Sequence, residues 1–172
     1  MKLLATIISF LILCSLSAQR EQPEIHTLYP KFSESTKCLN PEYLLFSAKN
    51  KGDKKPGLLI YLHGVGGVAD DVLRLQGQAR ALLEGINRFE KGRCHVVVPQ
   101  CSRTRKAGGR GTWEASDLDL LLKGLSSSLN FNSKRIYLTG DSMGGYGSWK
   151  WGVKSLQLFA AIAPVVGGIG PG

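Results

Sequence analysis

The sequence predicts an α/β protein built on a mostly parallel sheet with helices on both faces. Short runs of consecutive apolar residues recur, among them Leu58-Leu-Ile-Tyr-Leu62, Val96-Val-Val98 and Phe159-Ala-Ala-Ile-Ala163. A run without polar alternation suits a strand buried on both faces. Between these runs lie apolar residues at three- and four-residue steps, the spacing of amphipathic helices. Strand and helix alternate regularly, which implies βαβ crossovers. With 172 residues, 43% hydrophobic and 20% charged, one core is expected.

The first residues stand apart. Lys2 is followed by an apolar run from Leu3 to Leu13 and by small residues up to Ala18. The run is short for a bilayer span, so residues 1–18 read as a signal peptide cleaved near Ala18, with an uncleaved anchor as the competing reading. Lipid attachment at Cys14 is disfavoured by bulky Leu13. The protein is therefore expected to be secreted or periplasmic, with no stable membrane insertion after cleavage.

Residues 19–42 are polar and mixed, a lead-in segment, and 43–172 form the domain. Tyr43-Leu-Leu-Phe-Ser47 reads as a strand, and residues 49–56, rich in charge with Gly and Pro, as a turn. The Leu58 strand follows. Val72, Leu75, Ala79, Leu82, Leu83 and Ile86 make one helical stripe, begun by Asp70 and Asp71, which favour a helix N-terminus. His95-Val-Val-Val98 is a strand stopped by Pro99. Ser116 can cap the next helix, with Asp119 completing a capping box, and Leu118, Leu121, Leu122, Leu125 and Leu129 form its buried face. Arg135–Thr139 is a strand, Met143 to about Lys154 a helix, and Phe159–Ala163 a last strand before Pro164.

The stretch Gly140-Asp-Ser-Met-Gly144 matches G-x-S-x-G. The match alone is weak, but it directly follows an apolar strand and directly precedes a helix, as a nucleophile elbow requires. Ser142 is the candidate nucleophile. Glycine at Gly140 and Gly144 lets neighbouring backbone pass close by. The N-terminus of the following helix points N–H groups and a positive dipole end at a developing oxyanion. Upstream, His63-Gly64-Val65-Gly66-Gly67 ends the Leu58 strand. In this reading the backbone N–H groups of Met143 and Val65 are the oxyanion donors. Both loops leave carboxyl ends of parallel strands, where ligands bind in open α/β sheets. His63 is expected to order its loop rather than act as the base. Trp149 and Trp151 lie two apart and cannot share a helix face; packing is the expected role of both, and of Tyr146.

These segments, with Phe159-Ala-Ala-Ile-Ala-Pro164 downstream, resemble secreted α/β-hydrolases of the carboxylesterase, dienelactone-hydrolase and predicted-peptidase group. The likeness runs from about Tyr43 onward. It implies hydrolysis of small-molecule esters or of peptides without a metal or organic cofactor, and an α/β-hydrolase fold lacking its last strands. Val98-Pro-Gln-Cys101 and Trp113 also match the group, near the pocket mouth, with no role assigned. The group places its acid and histidine after the nucleophile, yet no Asp, Glu or His follows Ser142. His26 lies in the lead-in segment and His95 begins its strand, at the edge away from Ser142. The chain is thus expected to be the front part of a longer enzyme, inactive or weak by itself. A non-catalytic binding module on the same scaffold is the alternative.

Other classes fit less well. Gly64-Val-Gly-Gly-Val-Ala69 also fits a dinucleotide fingerprint, but the next strand ends in Pro99-Gln100 without a ribose-binding acid, and Asp70 and Asp71 sit where a pyrophosphate would. The net charge of +9 falls to +8 without Lys2 and is scattered, apart from Arg103, Arg105, Lys106 and Arg110 in a Gly-rich loop read as a solvated surface. There is no nucleic-acid motif. Removing residues 1–18 leaves Cys38, Cys94 and Cys101, which allow at most one internal bridge. Cys94 and Cys101 flank a strand that holds them apart, while Cys38 can pair with either. No cysteine pair has metal-ligand spacing.

Overall fold

The computed structural model describes residues 22–49, 54–89, 92–103 and 112–168. The predicted signal segment, positions 50–53 of the turn at 49–56 and the loop positions Arg105, Lys106 and Arg110 lie outside the described residues.

Six strands form one mixed sheet: β1 (Glu24–Thr27), β2 (Leu39–Phe46), β3 (Gly57–Leu62), β4 (Cys94–Cys101), β5 (Ile136–Asp141) and β6 (Ala161–Val165). Their spatial order is β1-β2-β4-β3-β5-β6. β1 and β2 pair antiparallel with their neighbours, whereas β4, β3, β5 and β6 are mutually parallel. The helices are α1 (Pro30–Ser33), α2 (Gln76–Phe89), α3 (Ala115–Ser128) and α4 (Met143–Lys154).

The apolar runs of β3 and β4 are buried on both faces because the sheet is covered on both sides there, whereas the run leading into β6 leaves Ala161 and Ala163 exposed. Along β3, Leu58, Ile60 and Leu62 join the core under α3 and α4, while Leu59 and Tyr61 face the core under α2. β4 alternates likewise, Val97 on the first side and Val96 and Val98 on the second. The predicted leucine face of α3 is its buried face, with Leu129 packed at its margin.

Local corrections have local causes. The lead-in segment contains β1 and α1, for which it carries no apolar periodicity; pairing with β2 orders β1. β4 runs through Pro99 rather than stopping there. Its parallel ladder to β3 ends at Val97, and its register to β2 shifts between Leu39 and Tyr43, so the missing proline N–H falls where pairing is already irregular. β6 likewise runs through Pro164, opposite Gly140. Asp71 caps a 3₁₀ turn over Val72–Leu75, accepting from the Leu73 N–H at 3.0 Å, and α2 starts only after it. Ser116 is not a cap. The extended residue before α3 is Glu114, without a side-chain cap, and Ser116 is already the second helical residue. Asp119 accepts a 2.8 Å hydrogen bond from the Trp151 indole instead.

Among the described residues no helix is long and apolar enough to cross a membrane.

Candidate active site

β3 and β5 are adjacent parallel strands whose ladder ends at Leu62 opposite Gly140. The loops that follow them therefore emerge side by side. A Cβ placed on Gly64 would lie 3.5 Å from that of Ser142, so the two loops abut.

Ser142 bridges β5 and α4 with φ 51° and ψ −116°, a conformation that costs a non-glycine residue about 1–3 kcal/mol. Surrounding contacts hold it there. The Ser142 N–H donates to the Val165 carbonyl at 3.0 Å, and the Ser142 carbonyl accepts from Tyr146 N–H. A Cβ on Gly144 would collide with the Leu62 carbonyl, and one on Gly140 would lie 2.5 Å from that of Gly144. Close backbone approach explains the glycines. Met143 opens α4, so its N–H has no acceptor within the helix.

Ser142 sits between two hollows. One, of about 350 Å³, is lined by Val65, Met143, Trp113, Tyr146 and Lys150. The other, of about 340 Å³, is lined by Tyr61, Gly64, Val65, Gly66, Gln78 and Asp141. Val65 and Ser142 border both. The Tyr61 hydroxyl donates to Asp141 at 2.5 Å, and burial, then this carboxylate, raises the Tyr61 pKa above its ordinary value.

His63 lies behind the loop. Its ring is fully buried; its Nε2 accepts the Cys101 backbone N–H at 3.0 Å, so Nδ1 carries the proton and donates to the Gly64 carbonyl at 2.6 Å. Burial pushes its pKa down to about 4, against the Gly64 carbonyl and Asp141, so the ring is neutral near pH 7.

Sequence reasoning left other parts of this wall unassigned. Gln100, fully buried, donates to the carbonyls of Gly67 and Asp71 at 3.1 and 2.9 Å. The Trp113 indole donates to the His63 carbonyl at 3.1 Å. Tyr146, expected to pack, is 56% exposed and faces the larger hollow, while Trp151 is buried and Trp149 is 37% exposed. Lys150, at the same rim, pairs with Glu114 at 3.4 Å. Arg103 of the basic loop is engaged too, its backbone N–H donating to Asp70 and its guanidinium to the Val68 carbonyl.

No described histidine reaches Ser142. His26 is on β1, four strands from β5, roughly 19 Å at the usual strand spacing. His95 pairs with Leu58 near the start of β3 and accepts from Ala48 N–H, at the far end of the sheet. The described residues contain no group of three or more His, Cys, Asp or Glu placed to hold a metal.

No family model matches the chain. Solved structures do. A thermostable esterase is 27% identical with a TM-score of 0.61, over 83% of this chain and 40% of its own. A ferulic acid esterase from Anaeromyces mucronatus is 16% identical with a TM-score of 0.60, over 91% and 63%. The S-formylglutathione hydrolase FrmB from Staphylococcus aureus is 14% identical with a TM-score of 0.57, over 81% and 54%. The chain thus spans 40 to 63% of the length of these structures. Its fold is that of the α/β-hydrolases, and its structural neighbours are esterases and serine hydrolases.

Proposed function

We propose that this chain carries the nucleophile and oxyanion hole of a serine hydrolase acting on carboxylic esters or peptides. The observation that carries the proposal is Ser142 itself, held at φ 51° on a strand-to-helix turn against the Gly64-Val65 loop and between two hollows. In this reading the Ser142 Oγ attacks the acyl carbonyl carbon. In the same reading, the charge that develops on the carbonyl oxygen meets the N–H groups of Met143 and Val65. The leaving group departs, and water then cleaves the acyl-enzyme. His63, neutral and engaged at both nitrogens, stays outside this proton transfer. The base and its acid partner are proposed to come from polypeptide following Gly172, in keeping with the greater length of the solved esterases. Esters are the preferred substrate class, because esterases recur among the structural neighbours.

The test is labelling of the full-length natural polypeptide with a serine-directed phosphonate. The label is expected on Ser142, and Ser142→Ala should abolish it and lower ester hydrolysis on the order of 10⁶-fold. One observation favours a binding module instead: no described histidine lies beside Ser142. That reading stands if the full-length protein does not label.

The proposal includes export directed by residues 1–18. N-terminal sequencing of the mature protein should begin at Gln19; an intact Met1 would refute export with cleavage there.

A further inference from the structure

We propose that Cys38 and Cys101 form a disulfide site, a covalent tie between the start of β2 and the end of β4 directly behind the His63–Gly67 loop. Leu39, the neighbour of Cys38, is the Cα partner of Cys101, and the Cys38 carbonyl accepts from Ser102 N–H at 2.7 Å. Directly opposed Cα atoms in an antiparallel pair lie about 4.5–5.5 Å apart, so one step along the strand gives roughly 6 Å, inside the bridging range. The two thiols face one buried space. Both residues are fully buried and their side chains are in hydrogen-bonding contact. The Cys38 thiol also donates to Asp117 at 3.2 Å, and the Cys101 thiol to the Thr112 carbonyl at 3.3 Å. Asp117 needs neither thiol. The same carboxylate oxygen accepts the N–H groups of Lys37 and Cys38 at 2.8 Å each.

Cys94 is excluded by position. It begins β4, opposite Gly57, while Cys101 ends the same strand. All three thiols are unbridged in this structure. Closing the bridge requires a disulfide oxidant, such as glutathione disulfide or an oxidised dithiol oxidoreductase. One protein thiolate attacks it, forming a mixed disulfide and expelling one reduced thiol. The second protein thiolate attacks the protein sulfur of that mixed disulfide and expels the other. Two electrons pass to the oxidant, and the two protein protons end on the released thiols. The Cys38 contact and burial hold the Cys101 thiol well above its ordinary pKa, which disfavours its thiolate once the core has closed. The exchange therefore belongs to folding, and the finished bond is shielded from reductants.

The tie bears on the proposed active site through one residue. The Cys101 backbone N–H holds His63 Nε2, and His63 in turn holds the Gly64 carbonyl.

The full chain, folded in a glutathione redox buffer, is denatured, alkylated and digested without reductant. The expected product is a linked pair of peptides bearing Cys38 and Cys101, lighter than their sum by two hydrogens, with Cys94 alkylated. Reduction should lower Tm by roughly 5–15 °C, and Cys38→Ser with Cys101→Ser should remove that sensitivity. Alkylation of both Cys38 and Cys101, or a bridge to Cys94, overturns the proposal, and the wild-type peptide map decides even where the double variant fails to fold. Phosphonate labelling of Ser142 is read separately, so failure of the bridge and failure of the hydrolase reading are distinguishable.

Discussion

His63 occupies the position in the loop where a catalytic base is tempting, yet its surroundings remove it from acid–base work. A buried imidazole with one nitrogen accepting a backbone N–H and the other donating to a carbonyl is a structural bolt. It also makes stability depend on pH in a definite direction. Its folded pKa is about 4 against an ordinary 6.5, so between these values the unfolded chain binds the proton and the folded chain does not. The contribution is present above pH 6.5 and is lost as pH falls towards 4, roughly 3 kcal/mol in all. His95 is shifted the same way by burial, so the test is a difference. Urea unfolding at pH 7 and pH 4.5 should show a smaller pH dependence in His63→Gln than in the wild type; equal dependence would refute the assignment. Ser142 is the complementary case, a residue whose backbone is strained and whose neighbours supply the restraint.

α4 is a poor helix by composition. Met143-Gly-Gly-Tyr-Gly-Ser-Trp-Lys-Trp-Gly-Val-Lys154 contains four glycines, each about 1 kcal/mol worse than alanine in a helix interior. Packing, not propensity, holds it. Trp151 is fully buried against the Phe159 ring at 4.8 Å and is tied to α3 through Asp119. Two predictions follow from that balance. Gly144→Ala improves helix propensity yet should destabilise the protein by about 3 kcal/mol or more, because its methyl meets the rigid Leu62 carbonyl. Asp119→Ala should cost about 1–2 kcal/mol, the Trp151 indole N–H being left without its acceptor. Urea denaturation measures both, and a stabilised Gly144→Ala would contradict the close packing of α4 on β3.

Over the whole sheet, coverage is uneven. The face under α3 and α4 is closed from β2 to Ile162 of β6, while the opposite face is closed by α2 chiefly over β2, β4 and β3. On that side Ala161, Ala163 and Val165 are exposed, and among the described residues β6 has no neighbour beyond β5. An open apolar edge invites pairing with another chain. The 172-residue chain should therefore self-associate as concentration rises, and Val165→Lys, at a position 51% exposed, should reduce this. Sedimentation velocity across a dilution series is the measurement; a monomer at all concentrations would refute it.

The alternation of apolar runs and helical stripes, and the placement of Gly140–Gly144 between a strand and a helix, were legible in the residues because periodicity and glycine sterics are local. They determined the fold class and brought Ser142, Met143 and the Val65 loop forward as a site. What depends on partners distant in the chain was not legible: β1 within a polar segment, the continuation of β4 through Pro99, the exposure of Tyr146. The same holds for Gln100 and Trp113, whose hydrogen bonds hold the Gly67 and His63 carbonyls, and for the meeting of Cys38 with Cys101. These hydrogen bonds join residues 29 to 50 positions apart, the two cysteines lie farther apart still, and only the packed sheet decides which of them share a wall.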